Sequence, residues 1–364
     1  MSEANVENRE VLKNEDTPRS WRGEISFILV SANSPCYAKN SVCSLTFHLT
    51  NFIYKETSMA SEKDRAAAQS PRGTRLGILF FVVAPFIALV LAIWIAWGRG
   101  VYVLDIGQLI FWHFVTGAGV TVGFHRLFTH ASFKTRRPVK ALLGILGSMT
   151  VQGSLFKWCA VHMQHHSYSD QEGDPHSPHA YGEGFWAVCR GFWHAHVGWL
   201  FSLEMPSSEV ERLTKRLRAD SLLVWIDRLF LLWILLGLLL PALIGGLVTG
   251  SLEGAFRGFL WGGLIRVGTV HHVTWSINSV CHIWGRRDFE TGDESRNNVI
   301  FGLLGWGEGW HNGHHAFLRS AKHGLLRWQL DPTWWMIKTL SWLKLAWDIK
   351  LPTAKQIESR IIST

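Results

Sequence analysis

The sequence predicts an all-α integral membrane protein: four transmembrane helices paired as two hairpins, with interfacial helices and a cytoplasmic helical cap around a histidine-rich site. Three observations carry that expectation. Four apolar runs are each long enough for a bilayer's hydrocarbon core, which a helix of about 20 residues crosses. Histidines recur in short groups beside those runs, and basic residues collect at one set of the runs' ends. Composition agrees: 48% of the 364 residues are hydrophobic, and 20 Trp against 5 Tyr suits a chain shared between lipid and its interface.

Taken in order, residues 1–58 open with a polar stretch carrying Glu3, Glu7, Glu10, Glu15 and Asp16. No charged segment leading into an apolar one follows, and the acids argue against an organellar transit peptide. Two readings stay open for this stretch, a disordered cytoplasmic tail or an extension ahead of a true start at Met59. Residues 59–76 read as a cytoplasmic lead, 77–352 as the membrane domain and 353–364 as a C-terminal tail. The first run, Gly77–Trp97, is almost purely apolar, and the second, Ile106–Phe124, carries His113. A fifth candidate, Val139–Phe156, is interrupted by Ser148, Thr150, Gln152 and Ser154. If the histidines on its two sides share a site, the chain between them crosses the membrane an even number of times, so this segment is expected to be interfacial or re-entrant. The third run, Leu229–Val248, is apolar throughout; the fourth, Gly258–Asn278, carries Arg266, His271 and His272 and must turn a polar face inward.

Two hairpins return every histidine group to one face. Arg72, Arg75, Arg126, Lys134, Arg136, Arg137, Lys140, Arg212, Lys215, Arg216 and Arg218 lie on that side, against Arg99 alone in the opposite turns. By the positive-inside rule both termini and the histidine face are cytoplasmic, in a bacterial inner membrane or, as the alternative, the endoplasmic reticulum. The net charge of +8 follows the ends of apolar runs and forms no single stripe, which argues against nucleic acid as a partner. The five cysteines form no C-x-x-C pair, so a metal must rest on nitrogen or oxygen.

The histidine groups are His125 and His130; His162, His165 and His166; and His311, His314 and His315, with His282 isolated. Positions i, i+3 and i+4 share a helix face, so each H-x-x-H-H presents three imidazoles in one direction, and two such faces can grip two metals. His125 and His130, at i and i+5, do not align on a regular helix, which predicts that the second span ends near His125 and the backbone turns before His130. Asn278 and His282 are again i, i+4. The lone His48, His113, His179 and His323 read as surface or hydrogen-bonded histidines, and His271 and His272 as packing or supporting groups.

Three stretches carry a family resemblance: Gly123-Phe-His125-Arg-Leu-Phe-Thr-His130, His162-Met-Gln-His165-His166 followed by Asp174-Pro175-His176, and Gly307-Glu-Gly-Trp-His311-Asn-Gly-His314-His315. Together with His196-Val-Gly-Trp-Leu200 and Thr274-Trp-Ser-Ile-Asn278-Ser-Val-Cys-His282 between them, they resemble the membrane acyl-CoA desaturases of the Delta-9, stearoyl-CoA type, over Gly77 to Pro352. The resemblance implies two iron ions held by His125, His130, His162, His165, His166, His282, His311, His314 and His315, with Asn278 contacting one through water. It implies a reaction in which dioxygen and two electrons convert a saturated fatty acyl-CoA or acyl-lipid chain to its cis Delta-9 product. It further implies a bent tunnel for the chain at Gln152, Trp158, Thr274 and Trp275, with His113 and Gly117 near its closed end, where the small Gly117 makes room for a long chain. Asp170, Asp174 and Glu308 are candidates to accept the imidazoles' second N–H. No His-Pro-Gly-Gly haem segment follows His315, so the electron donor, cytochrome b5 or ferredoxin, is expected to be a separate protein. The alternatives are a membrane di-iron acyl or alkane hydroxylase and a metal transporter, whose ligands belong near mid-membrane.

Overall fold

The computed structural model describes residues 72–201 and 205–362. The expectations for residues 1–58, Met59 and His48 lie outside the described residues. The first helix, α1, runs Arg72–Arg99, beginning within the expected cytoplasmic lead. Its small residues Ala84, Ala88 and Ala92 recur every four positions and are buried, whereas Phe80, Val90 and Trp94 stand exposed. That small stripe lets α1 close against Leu260, Leu264 and Ile265.

Helix α2 covers Val103–Ala118 and continues without interruption as a π-helix over Gly119–Thr129. The turn expected between His125 and His130 therefore does not occur, and His130 caps the element by donating its N–H to the His125 carbonyl, 3.1 Å. The interrupted candidate Val139–Phe156 is not one helix. It divides into α3 (Arg137–Ser148) and α4 (Leu155–Tyr168), joined through Val151 at φ 61° and Gly153 at φ 108°. Thr150 takes part in the break by donating its hydroxyl to the Gly147 carbonyl, 2.7 Å. α5 (Phe185–His196) and three short helices ending at Arg228 follow.

Gly73–Arg99, Val103–Thr129 and Phe230–Thr249 are long and apolar enough to cross a membrane. The fourth expected run is helical from Leu252 to Ile283, as α10 (Leu252–Gly258), a π segment (Phe259–Ile265) and α11 (Arg266–Ile283). It is not in that class, its polar residues including His271, His272 and two cations, Arg257 and Arg266. Both cations are buried, and Arg266 donates to the carbonyls of Met149 (2.8 Å), Gly237 (2.7 Å) and Gly262 (3.1 Å). A cation shared among three carbonyls cross-braces three helices without a carboxylate. α9 (Phe230–Thr249) reverses at left-handed Gly250, and Ser251 caps α10 by accepting from the Gly254 amide, 3.0 Å. Gly245 then meets Gly254, and Pro241 meets Gly258 and Gly262, so the two helices run antiparallel in close contact.

Short helices complete the cap: α12 (Val299–Leu304), α13 (His311–Ala316), α14 (Pro332–Trp342) and α15 (Ala354–Glu358). The all-helical expectation holds except for one two-residue antiparallel pair among the described residues. β1 (Lys134–Thr135) meets β2 (Ala346–Trp347) with Lys134 opposite Trp347, tying the C-terminal segment to the chain just after His130.

Candidate metal centre

The π-helix gives the His125 and His130 pair its meaning. A π-helix repeats its hydrogen bonds at i and i+5, so residues five apart come onto one face, and the two rings lie 4.8 Å apart. α4 supplies His162, His165 and His166, the end of α11 supplies His282, and α13 supplies His311, His314 and His315. These nine converge as two groups: His125, His130, His162, His166 and His314 in one, and His165, His282, His311 and His315 in the other. Within each, the facing nitrogens lie within 4.8 Å of one another. The boxes do not face one way each. The i, i+4 pair of each box joins one group, and the residue between joins the other, so α4 and α13 are shared by both.

In the first group the Nε2 atoms of His162 and His166 are 2.9 Å apart, those of His166 and His314 3.0 Å, of His125 and His314 3.1 Å, and of His130 and His162 3.2 Å. In the second, His282 and His311 meet at 3.0 Å through Nε2. A neutral imidazole carries one N–H and one lone pair. His165 places Nδ1 3.0 Å from Asp174, His282 2.8 Å from Asp170, His315 2.6 Å from Asp293, and His125 contacts Glu308 in the same way. Each Nδ1–H is thus committed to a carboxylate, which leaves four bare Nε2 atoms aimed inward. Those of His165 and His315 are buried with no hydrogen-bond partner. Buried lone pairs facing one another are costly unless a cation lies among them, and an all-nitrogen set suits a borderline divalent metal. The residues present fit a pair of such ions.

Electrostatics point the same way. Burial, reinforced by neighbouring imidazoles, holds His162, His166, His311 and His314 well below the ordinary imidazole range, in the neutral form that ligation needs. Burial alone would raise Asp170, but the hydrogen bond and charge of His282 and the Glu294 amide bring its carboxyl down to about 2. Asp174 and Asp293 are likewise lowered against their burial, Asp174 by His165 and Asp293 by His315.

Asp293 escaped the sequence reading, since it lies in an irregular loop with no helical spacing to His315. Glu308, a carboxylate expected beside the imidazoles, belongs to a buried cluster behind the first group whose links to Arg126, His323 and Asp331 the sequence did not mark. Arg126 reaches Asp331 at 3.1 Å and Glu308 at 3.2 Å, and donates from Nε to His323 at 3.2 Å. The His323 ring lies 4.4 Å from that of His314. Burial, with His165 adjoining, takes His176 down to about 3, and its ring lies 4.4 Å from that of His165. His179 bonds the His282 carbonyl at 2.8 Å, His271 that of Thr150 at 2.7 Å, and His272 meets His196 at 3.0 Å.

A cavity leads away from the centre. His125, His162, His311 and Asn278 line it at the histidine end, and His113 and Gly117 at the other. Trp158 and Thr274 line it between, linked through Gln152, which accepts from Trp158 Nε1 (3.1 Å) and donates to Thr274 Oγ1 (3.0 Å). Trp275 is buried against His271 and His272, with ring separations of 4.8 and 5.2 Å. The space beside Gly117 is already filled: a β-carbon there would overlap the indole of Trp306.

The sequence profile of the fatty acid desaturase family matches residues 100–342. The chain is 43% identical over 284 residues, covering 78% of it and 88% of the relative, to a hex-5-enoyl-(acyl-carrier protein) acetylenase of Moorena producens. It is 35% identical over 254 residues to an sn-1 stearoyl-lipid 9-desaturase of Anabaena variabilis, covering 70% and 86%. With Delta-9 acyl-lipid desaturase 1 of Arabidopsis thaliana it shares 37% identity over 248 residues, covering 66% and 74%. Membrane-length apolar helices, two converging histidine groups and these relatives agree: the chain belongs to the fatty acid desaturase family, oxidoreductases that act on acyl chains.

Proposed function

We propose that this protein is a dioxygen-dependent desaturase that introduces a cis double bond at the Delta-9 position of a saturated acyl chain carried on coenzyme A or a lipid. The observation that carries the reading is the pair of histidine groups, one wholly and one partly buried, whose bare Nε2 atoms converge at the head of the cavity. Two of the relatives named above are 9-desaturases of lipid-bound chains, which supports the same regiochemistry. Two bound iron ions would supply dioxygen-dependent removal of hydrogen from an unactivated methylene, which side-chain acids and bases cannot perform.

The protein's own residues do the rest. His125, His130, His162, His166 and His314 would hold one ion and His165, His282, His311 and His315 the other, and Asn278 would contact one of them through water. Asp170, Asp174, Asp293 and Glu308 fix the ring tautomers. Val120, Val270 and Ile277 line the cavity and exclude water, while the Trp158–Gln152–Thr274 chain shapes its wall and Trp275 backs it. His113 and Gly117 mark the far end. Two electrons come from a separate cytochrome b5 or ferredoxin, either drawn by the basic residues of the histidine face.

In this reading Leu252–Ile283 is the fourth span, its charges facing protein rather than lipid, and the four spans form two hairpins. Residues 77–352 make up the membrane domain, with the site and both termini cytoplasmic, in a bacterial inner membrane. Complementation of an unsaturated-fatty-acid auxotroph, with double-bond position read by mass spectrometry, tests the function. Growth with Delta-9 monoenes is expected; hydroxylated chains, or no iron-dependent acyl oxidation, would overturn it.

A further inference from the structure

We propose that Trp306 sets the acyl chain length this protein accepts, by standing as the stop for the chain's methyl end. The inference rests on the reading of the cavity as the acyl site. His113 precedes His125 by 12 positions in one continuous helical run, so the far end lies at most about 18 Å along the axis from the histidine end, the π segment rising less per residue than an α-helix. At that end the Trp306 ring packs 4.8 Å from His113 and edge-on to Phe114 at 5.8 Å. Gly117 is the notch that receives the indole, since any β-carbon there would overlap its six-membered ring. The room that glycine spares is therefore taken by tryptophan and not left for substrate, contrary to the expectation from sequence.

The indole is held in place. Trp306 has φ 51°, in the left-handed region that bulky residues avoid, and keeps it because its carbonyl accepts from the Thr333 amide (3.1 Å) and hydroxyl (2.8 Å). His113, the other bulky group at this end, is fixed separately by contact with Thr269 Oγ1 at 3.1 Å. Trp306 is also two residues from Glu308, which grips His125. One short loop thus fixes the stop relative to the histidine that faces the reacting carbons, as a ruler requires.

The test is a competition assay in membranes, with a ladder of saturated acyl chains and products resolved by mass spectrometry, for Trp306→Phe, Trp306→Leu and Trp306→Ala. One methylene too many in a closed apolar pocket costs about 10- to 200-fold in rate. Trp306→Ala should accordingly raise the product ratio of a chain two methylenes longer than the wild-type optimum by about 10-fold or more. Trp306→Leu should fall between, and Trp306→Phe near wild type. Adding Gly117→Leu to Trp306→Ala should refill the notch and move the preference back. An unchanged length profile in active variants overturns the proposal. So does loss of activity in both the leucine and alanine variants while Trp306→Phe keeps the wild-type profile, because a stop acts on length and not on turnover. If the wild-type protein desaturates no chain at all, the functional reading fails instead.

Discussion

His165 and His315 turn their Nε2 atoms inward because Asp174 and Asp293 occupy their Nδ1–H groups. A ligand and the carboxylate that orients it should therefore fail differently when removed. On the proposed ligand assignment, His162→Ala or His314→Ala would open a metal shell and should abolish desaturation and lower bound iron, while the protein still reaches the membrane. Asp293→Asn keeps every imidazole but exchanges a charged acceptor for a neutral amide, and should reduce activity or metal affinity by about 10- to 100-fold. Iron content and turnover measured on the same preparations check both, and wild-type values in Asp293→Asn would remove the carboxylate from the assignment. The contrast also shows what was legible. His162, His165 and His166 stand at helix spacing and announced themselves in the sequence. Asp293 lies 22 residues from its partner in an irregular loop, where no periodicity marks it.

At the scale of elements, the apolar helices were legible because length and hydrophobicity are local properties. The π-helix was not, since nothing in Gly119–Thr129 says that its hydrogen bonds skip five residues, and i, i+5 reads as misaligned on the helix one assumes. Packing supplies the missing information. Gly119 lies so close to Gly147 of α3 that a β-carbon would meet that backbone, and Gly147 in turn faces the ring of Phe124. Gly119→Ala must push α2 and α3 apart at the start of the π segment, and overpacking of this kind costs about 1–3 kcal/mol. We expect a lower thermal midpoint in detergent together with lost iron, since His125 and His130 ride on the displaced segment. A substitution at exposed Gly107, where a β-carbon meets nothing within 4 Å, should change neither.

Across the whole molecule, charge is placed at the two ends of the bundle for different purposes. One end carries the histidine groups. At the other, Arg257 pairs with Asp105, donates to the Gly100 carbonyl at 2.9 Å and lies 4.0 Å over the Tyr102 ring, while Arg99 meets Glu253 at 2.7 Å. The pair joins the first turn of α2 to the last turn of α10, two elements far apart in sequence. Both side chains are only 4% exposed. Removing the carboxylate by Asp105→Ala leaves a buried guanidinium without its main partner, at a cost of about 3 kcal/mol, the low end for broken buried pairs because Gly100 and Glu253 remain near it. Asp105 precedes His125 by 20 positions, about 30 Å along the helix axis, so the metal centre should not feel the change directly. Asp105→Ala should thus unfold at a lower temperature in detergent while its folded fraction binds as much iron per chain as the wild type. An unaltered midpoint would show that the clamp does not hold α2 to α10, and iron lost from protein that is still folded would show that the two ends of the bundle are coupled.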